Sequence, residues 1–181
     1  MPKRIRIISF ILLASVICGC GKKQDTRAMD TFLKYYGAYS LVDVYWEEAE
    51  TAPVLDLNDD GNSGTLLEEL QVLNGQGLNG FKAKFSGIET KLPDPPYTCI
   101  LDVMYPHIND ADDEPYRTPS VNGYGIGISG HISVGGDIVF NDNPYIISFD
   151  AETALISVPY NAYDYLSSSM ISARAVFKYV R

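Results

Sequence analysis

Residues 55–70 read LDLNDDGNSGTLLEEL, and their side-chain oxygens recur at the spacing of a hard-cation loop. A twelve-residue calcium loop takes oxygen ligands from its first, third, fifth, seventh and ninth residues, a glycine at the sixth and a bidentate glutamate at the twelfth. Counted from Asp56, the chain supplies Asp56, Asn58, Asp60, Gly61 and Asn62 in that order. Its twelfth position is Leu67, and Glu68 and Glu69 arrive one and two places late. Two expectations follow from the same residues. The first is a Ca2+ site on Asp56, Asn58, Asp60 and Asn62. The second is a set of Asx turns leading into a helix capped by Ser63 or Thr65. Thr65 followed by Glu68 three residues later spells a capping box, which gives Glu68 a use without a metal.

Other candidate chemistry is thinner. HINDADDEPY places His107 near Asp110, Asp112, Asp113 and Glu114, a second set that could hold a divalent cation or could form a solvated acidic loop. A serine nucleophile needs a histidine base, and the chain has only His107 and His131, the latter expected at the surface. No GxSxG, HExxH or phosphate-cradling glycine loop occurs. No catalytic residue is assigned, although paired carboxylates of a glycan hydrolase remain open. Tyr35, Tyr36, Tyr160, Tyr163 and Tyr165 could form an aromatic binding surface, or serve as half-buried strand residues.

The amino terminus carries an address. Lys3, Arg4 and Arg6 precede an apolar run from Ile7 to Ile17, the build of a secretory signal. It is short for a membrane span. The run ends in ICGC and resembles a bacterial lipobox, which makes Cys20 the expected lipidated residue, anchored through acyl chains such as palmitate. Removing residues 1–19 takes away Lys3, Arg4 and Arg6 and no acid. The 14 basic and 23 acidic side chains of the whole chain then become 11 and 23, a balance of −12. Such a domain repels nucleic acid. Of three cysteines, only Cys20 and Cys99 remain, so the fold is expected to stand without an internal disulfide.

The elements that must position these residues follow from periodicity. Met29, Phe32, Leu33 and Tyr36 share a face at helical spacing, and Gly37 ends that short helix. Period-two alternation then dominates. It groups Val42, Val44 and Trp46; Phe81, Ala83 and Phe85; Cys99, Leu101 and Val103; Tyr124, Ile126, Ile128, Ile132 and Val134; Ile138 and Phe140; Tyr145, Ile147 and Phe149; Ile156 and Val158; and Ala173, Ala175, Phe177 and Tyr179. A second short helix after the first strand carries the stripe Leu66, Leu67, Leu70 and Leu73. The expected fold is all-β: a single antiparallel meander forming a barrel or a barrel-like sandwich, with these two helices. The expected divisions are a signal peptide over 1–19, a lipidated tether and short helix over 20–35, and a β domain over 36–181.

The segments YYGAYSLVDVYW and DLNDDGNSGTLLEEL, followed by alternating strands to residue 181, resemble the lipocalin-like domain lipoproteins of the Bacteroides type. The resemblance covers about residues 36–181 and implies a small up-and-down, lipocalin-like barrel; many members have no assigned activity. The expected function is a membrane-anchored, non-enzymatic binding or interaction domain of the bacterial envelope, at the outer membrane. Its partner would be a small hydrophobic ligand, a glycan or an envelope protein. The alternatives are an assembly partner for envelope proteins and a carboxylate-based glycan hydrolase. The basic GKKQD segment at residues 21–25 leans toward the periplasm-facing side.

Overall fold

Alternating apolar and polar residues bury one face of each strand, and short turns rich in Gly, Asn and Asp let neighbouring strands pair. A computed structural model of the chain describes residues 26–74, 77–87, 97–109, 120–141, 144–150 and 152–181. The elements are α1 (Arg27–Tyr35), β1 (Gly37–Trp46), a 3-10 turn (Ala49–Thr51), α2 (Leu66–Asn74), β2 (Lys82–Gly87), β3 (Tyr97–Asn109), β4 (Ser120–Ile132), β5 (Ile138–Phe140), β6 (Ile146–Phe149), β7 (Thr153–Asp164) and β8 (Ser169–Val180).

All eight strands form one antiparallel sheet in the order β5-β4-β3-β2-β1-β8-β7-β6. The first and last strands pair at its centre, so the meander curls into a half-barrel and not a two-sheet sandwich. It opens between β5 and β6, whose edges meet through stacked Phe140 and Phe149 rings 6.2 Å apart. Both edge strands are short, at three and four residues, which limits the ladder they offer to other chains. At Gly130 an added Cβ would lie 2.7 Å from the Val139 carbonyl oxygen. A side chain there would push β5 off β4.

The interior is filled by aromatic rings in two groups. Around the end covered by α1, Phe149 meets Tyr35, Tyr39, Phe85 and Phe140 at centroid distances of 5.8–6.2 Å. Deeper along the barrel, Phe177 packs 4.9 Å from Tyr105 and 6.3 Å from Tyr160, and Tyr160 meets Trp46 at 5.8 Å. Buried phenols must find partners, and these do so within the fold. Tyr39 donates to the Tyr35 carbonyl at 2.7 Å, Tyr179 to the Met104 carbonyl at 3.0 Å, and Tyr160 to the Pro106 carbonyl at 3.3 Å while accepting from the Ile108 N–H at 2.6 Å. Burial pushes the Tyr179 and Tyr105 hydroxyls upward, so both stay neutral. It also pushes the free, buried Cys99 thiol up to about 11. That thiol is inert at neutral pH.

Several faces differ from the periodic expectation. In β1 the register passes from Leu41↔Tyr179 to Asp43↔Lys178. This bulge turns Val42 outward, 50 % exposed, while Val44 stays buried. The helix α1 docks through Ala28, Met29, Phe32 and Tyr35, leaving Leu33 61 % exposed and Tyr36 half-exposed. Tyr124 and Val134 are exposed as well, at the ends of an otherwise inward row. By contrast, Ala83 and Phe85 and Cys99 to Val103 alternate as the sequence predicts, and Ala175, Phe177 and Tyr179 are buried as expected, although Val176 between them is buried as well.

Candidate functional site

The aspartate-rich insertion between β1 and β2 is the site that the sequence singles out, and its local bonding gives both Asp56 and Asp60 a structural use. Asp56 accepts from the N–H groups of Asp60 (3.0 Å, Oδ1) and Gly61 (2.9 Å, Oδ2). Asp60 accepts from the Asn62 N–H at 2.8 Å and the Asn58 amide at 2.9 Å. Asp59 and Gly61 take left-handed backbone angles, φ 55° and 81°, which wind the chain tightly enough for these bonds. Such Asx turns are the second of the two expectations.

The helix that follows starts with the predicted capping box. The Thr65 N–H donates to Glu68 Oε2 at 2.8 Å, the Thr65 hydroxyl to the same oxygen at 2.9 Å, and the Glu68 N–H returns to Thr65 Oγ1 at 3.3 Å. Helix α2 then packs on β1 and β4, burying Leu66 and Leu70 with Leu67 and Leu73 beside them. Glu69 arrives two places late for the twelfth ligand of a calcium loop. It is instead 5 % exposed and clasps both ends of the insertion, accepting from the Leu57 N–H at 2.8 Å and the Gly64 N–H at 2.7 Å. The sequence signal for this was the second of two adjacent glutamates, on the same helical side as Leu66 and Leu70.

This arrangement brings Asp56, Asn58 and Asp60 together, with Asn62 joined through its backbone N–H. It sends both glutamates elsewhere. An ion here would lack the bidentate carboxylate and would need water to complete six to eight oxygens. Among the described residues, no three His, Cys, Asp or Glu side chains converge as a metal-holding group. Because the Asx turns and the capping box hold the loop by themselves, exhaustive chelation followed by calcium addition is expected to move Tm by less than about 1 °C, a shift worth a fraction of a kcal/mol in a domain of this size. A calcium-dependent rise of several degrees, lost in Asp56→Ala, would assign the loop an ion.

Asp60 and Glu68 are both held below the usual carboxylate range. The Asn62 N–H is the main cause for Asp60, followed by the Asn58 amide; for Glu68 it is the Thr65 N–H, then its hydroxyl. With the folded pKa below the unfolded one, these bonds contribute fully above the unfolded value and are lost as pH falls through the folded value. These two carboxylates therefore hold the insertion less firmly as pH falls.

His107, expected in an acidic loop, lies in β3, its ring 5.1 Å from Tyr160 and 5.7 Å from Tyr124. Its proposed co-ligands Asp110, Asp112, Asp113 and Glu114 lie outside the described residues, as does Cys20. His131 is half-buried on the face opposite Ile132. The five tyrosines divide: Tyr160 is buried, Tyr35 sits in the aromatic cluster at α1, and Tyr36, Tyr163 and Tyr165 are exposed.

One polar group escaped sequence reasoning because its members are distant in the chain. Arg174 Nε lies 3.0 Å from Glu47 Oε2, and the Ser157 hydroxyl bonds both. It joins the end of β1 to β7 and β8. Asp164 does the same for the insertion: it accepts from the Ser167 and Val54 N–H groups at 2.7 Å, and Ser167 and Val54 together hold its carboxyl below the usual range.

Comparison with protein-family models, with curated proteins and with solved structures found no match to this chain.

Proposed function

We propose that the chain is a lipid-anchored envelope protein whose β domain is a non-enzymatic interaction module working through its outer surface and loops. The observation that carries this reading is the content of the half-barrel: Tyr39, Phe85, Tyr160, Phe177 and Tyr179 are fully buried there, and the three tyrosine hydroxyls bond the protein's own carbonyls. A carrier for apolar ligands needs apolar room inside its barrel. Here the chain's own aromatic rings take that place, which leaves the exterior for recognition.

The anchor rests on the sequence from Lys3 to Cys20. In cells fed labelled palmitate, label is expected to enter the wild-type protein and not Cys20→Ala. Equal labelling of both, or of neither, would contradict the anchor.

A protein partner is the reading favoured by the β7–β8 turn. Tyr163, Tyr165, Leu166 and Met170 are all exposed there, Leu166 at 76 %, and Tyr163 and Met170 are cross-strand neighbours. From Tyr165 to Ala173 the chain has no charged residue. Exposed tyrosine, methionine and leucine without charge match the core of a protein interface.

A further inference from the structure

The two ends of the half-barrel differ. At one, α1 lies across the strand ends: the Thr31 hydroxyl donates to the Gly136 carbonyl at 2.8 Å, Phe32 packs on Phe85, and Arg181 bonds the carbonyls of Lys34 and Tyr36. The outward side of this end exposes Leu33, Tyr36 and Val134. Around them stand the exposed cations Arg27, Lys34 and Arg181. Asp30, Asp137, Asp150 and Glu152 stand at the same end, so the four acids exceed the three cations by one in a domain that is strongly acidic. Of these, Asp30 accepts from the Thr26 hydroxyl and Asp150 from the Glu152 and Thr153 N–H groups. The opposite end receives Glu47, Glu48 and Glu50 after β1, and the apolar β7–β8 turn.

We infer that the outer side of α1, with Leu33, Tyr36 and Lys34 at its centre, rests in the headgroup layer of the membrane that holds the anchor, so that the domain stands with its β7–β8 turn directed away. This rests on the lipid anchor proposed above. Chain length limits the geometry. The seven residue steps from Cys20 to Arg27 can span at most about 25 Å, at roughly 3.5 Å per residue. Helix α1 begins at Arg27, so it cannot leave the bilayer surface by more than that. The twelve residues of β8 run away from this end for about 40 Å, at roughly 3.3 Å per residue. Leucine and tyrosine flanking a lysine suit the interface: the apolar groups enter the acyl boundary while the ammonium reaches lipid phosphate. The acidic end is repelled by anionic headgroups, and that repulsion favours the same orientation.

The full acylated chain in vesicles of equal parts phosphatidylethanolamine and phosphatidylglycerol tests this. A nitroxide is placed at Leu33→Cys or, separately, at Leu166→Cys; buried Cys99 is protected from the label. Intact mass reports the acyl group on Cys20 independently. In acylated protein, the label at residue 33 is expected to be shielded from a soluble nickel relaxant by about threefold or more relative to its state in solution, with the label at 166 unchanged. Adding Lys34→Glu should reverse much of the shielding. Acylated protein with both labels equally accessible would overturn the inference and leave the anchor standing, and shielding at both would show a domain lying flat. Protein with no acyl group would remove the anchor itself.

Discussion

Phe177→Ala is expected to lower stability by about 4 kcal/mol, the cost of deleting a large buried side chain and leaving its cavity. Phe177 is fully buried, and its ring contacts Tyr105 and Tyr160 across the interior. Tyr160 cannot collapse into the gap without cost, because it is fixed by two hydrogen bonds, to the Ile108 N–H and the Pro106 carbonyl. Thermal unfolding followed by circular dichroism should show Tm lower by roughly 10 °C, at about 2–4 °C per kcal/mol for a domain of this size. Phe177→Leu should recover most of it. A change of only a degree or two in Phe177→Ala would mean that the interior is loosely filled.

Glu69→Ala should have the next largest effect, about 3 kcal/mol, because it removes a buried acceptor and leaves the Leu57 and Gly64 N–H groups without it. The loss should be local in its signature. Amide exchange at Leu57 and Gly64 should accelerate well before exchange in β7 and β8, since the insertion meets the barrel through the α2 contacts and the Val54 bonds to Asp164 and Tyr165. Glu69→Gln keeps one acceptor oxygen and should lose about half as much. If Glu69→Ala leaves exchange at both amides unchanged, the clasp does not hold the insertion in solution.

How legible this was in the sequence depended on where each residue's environment came from. Where one strand's own alternation decides burial, as for Ala83 and Phe85 or for Phe177 and Tyr179, residue pattern and structure agree. Val42 departs from its alternation because its bulge is set by pairing with β8, more than a hundred residues away. Leu33 lies outside the buried side of its helical stripe because the docking face of α1 is chosen by Gly136, Phe85 and Phe149, none of them near it in sequence. Pro106 breaks the visible alternation ahead of His107, yet pairing with β4 carries β3 on through His107 to Asn109.

The insertion shows the same division. The Thr65 and Glu68 capping box is written in four consecutive residues, and the structure contains it. The burial of Glu69 depends on how the loop folds back over α2, which spacing alone does not encode. Likewise, alternation predicted an all-β meander but not its closure. The pairing of β1 with β8 decides for a half-barrel over a sandwich and leaves the opening between β5 and β6.

The central claim is that this domain works by its exterior because its interior is occupied. The most direct test is titration with a fluorescent fatty acid, with energy transfer from Trp46 as the readout. Trp46 is the chain's only tryptophan and packs 5.8 Å from Tyr160, so a ligand entering the half-barrel would pass close to it. The account predicts no saturable transfer up to about 50 μM, a concentration at which a carrier with a micromolar Kd would be filled. Saturable one-to-one binding with transfer from Trp46 would contradict it.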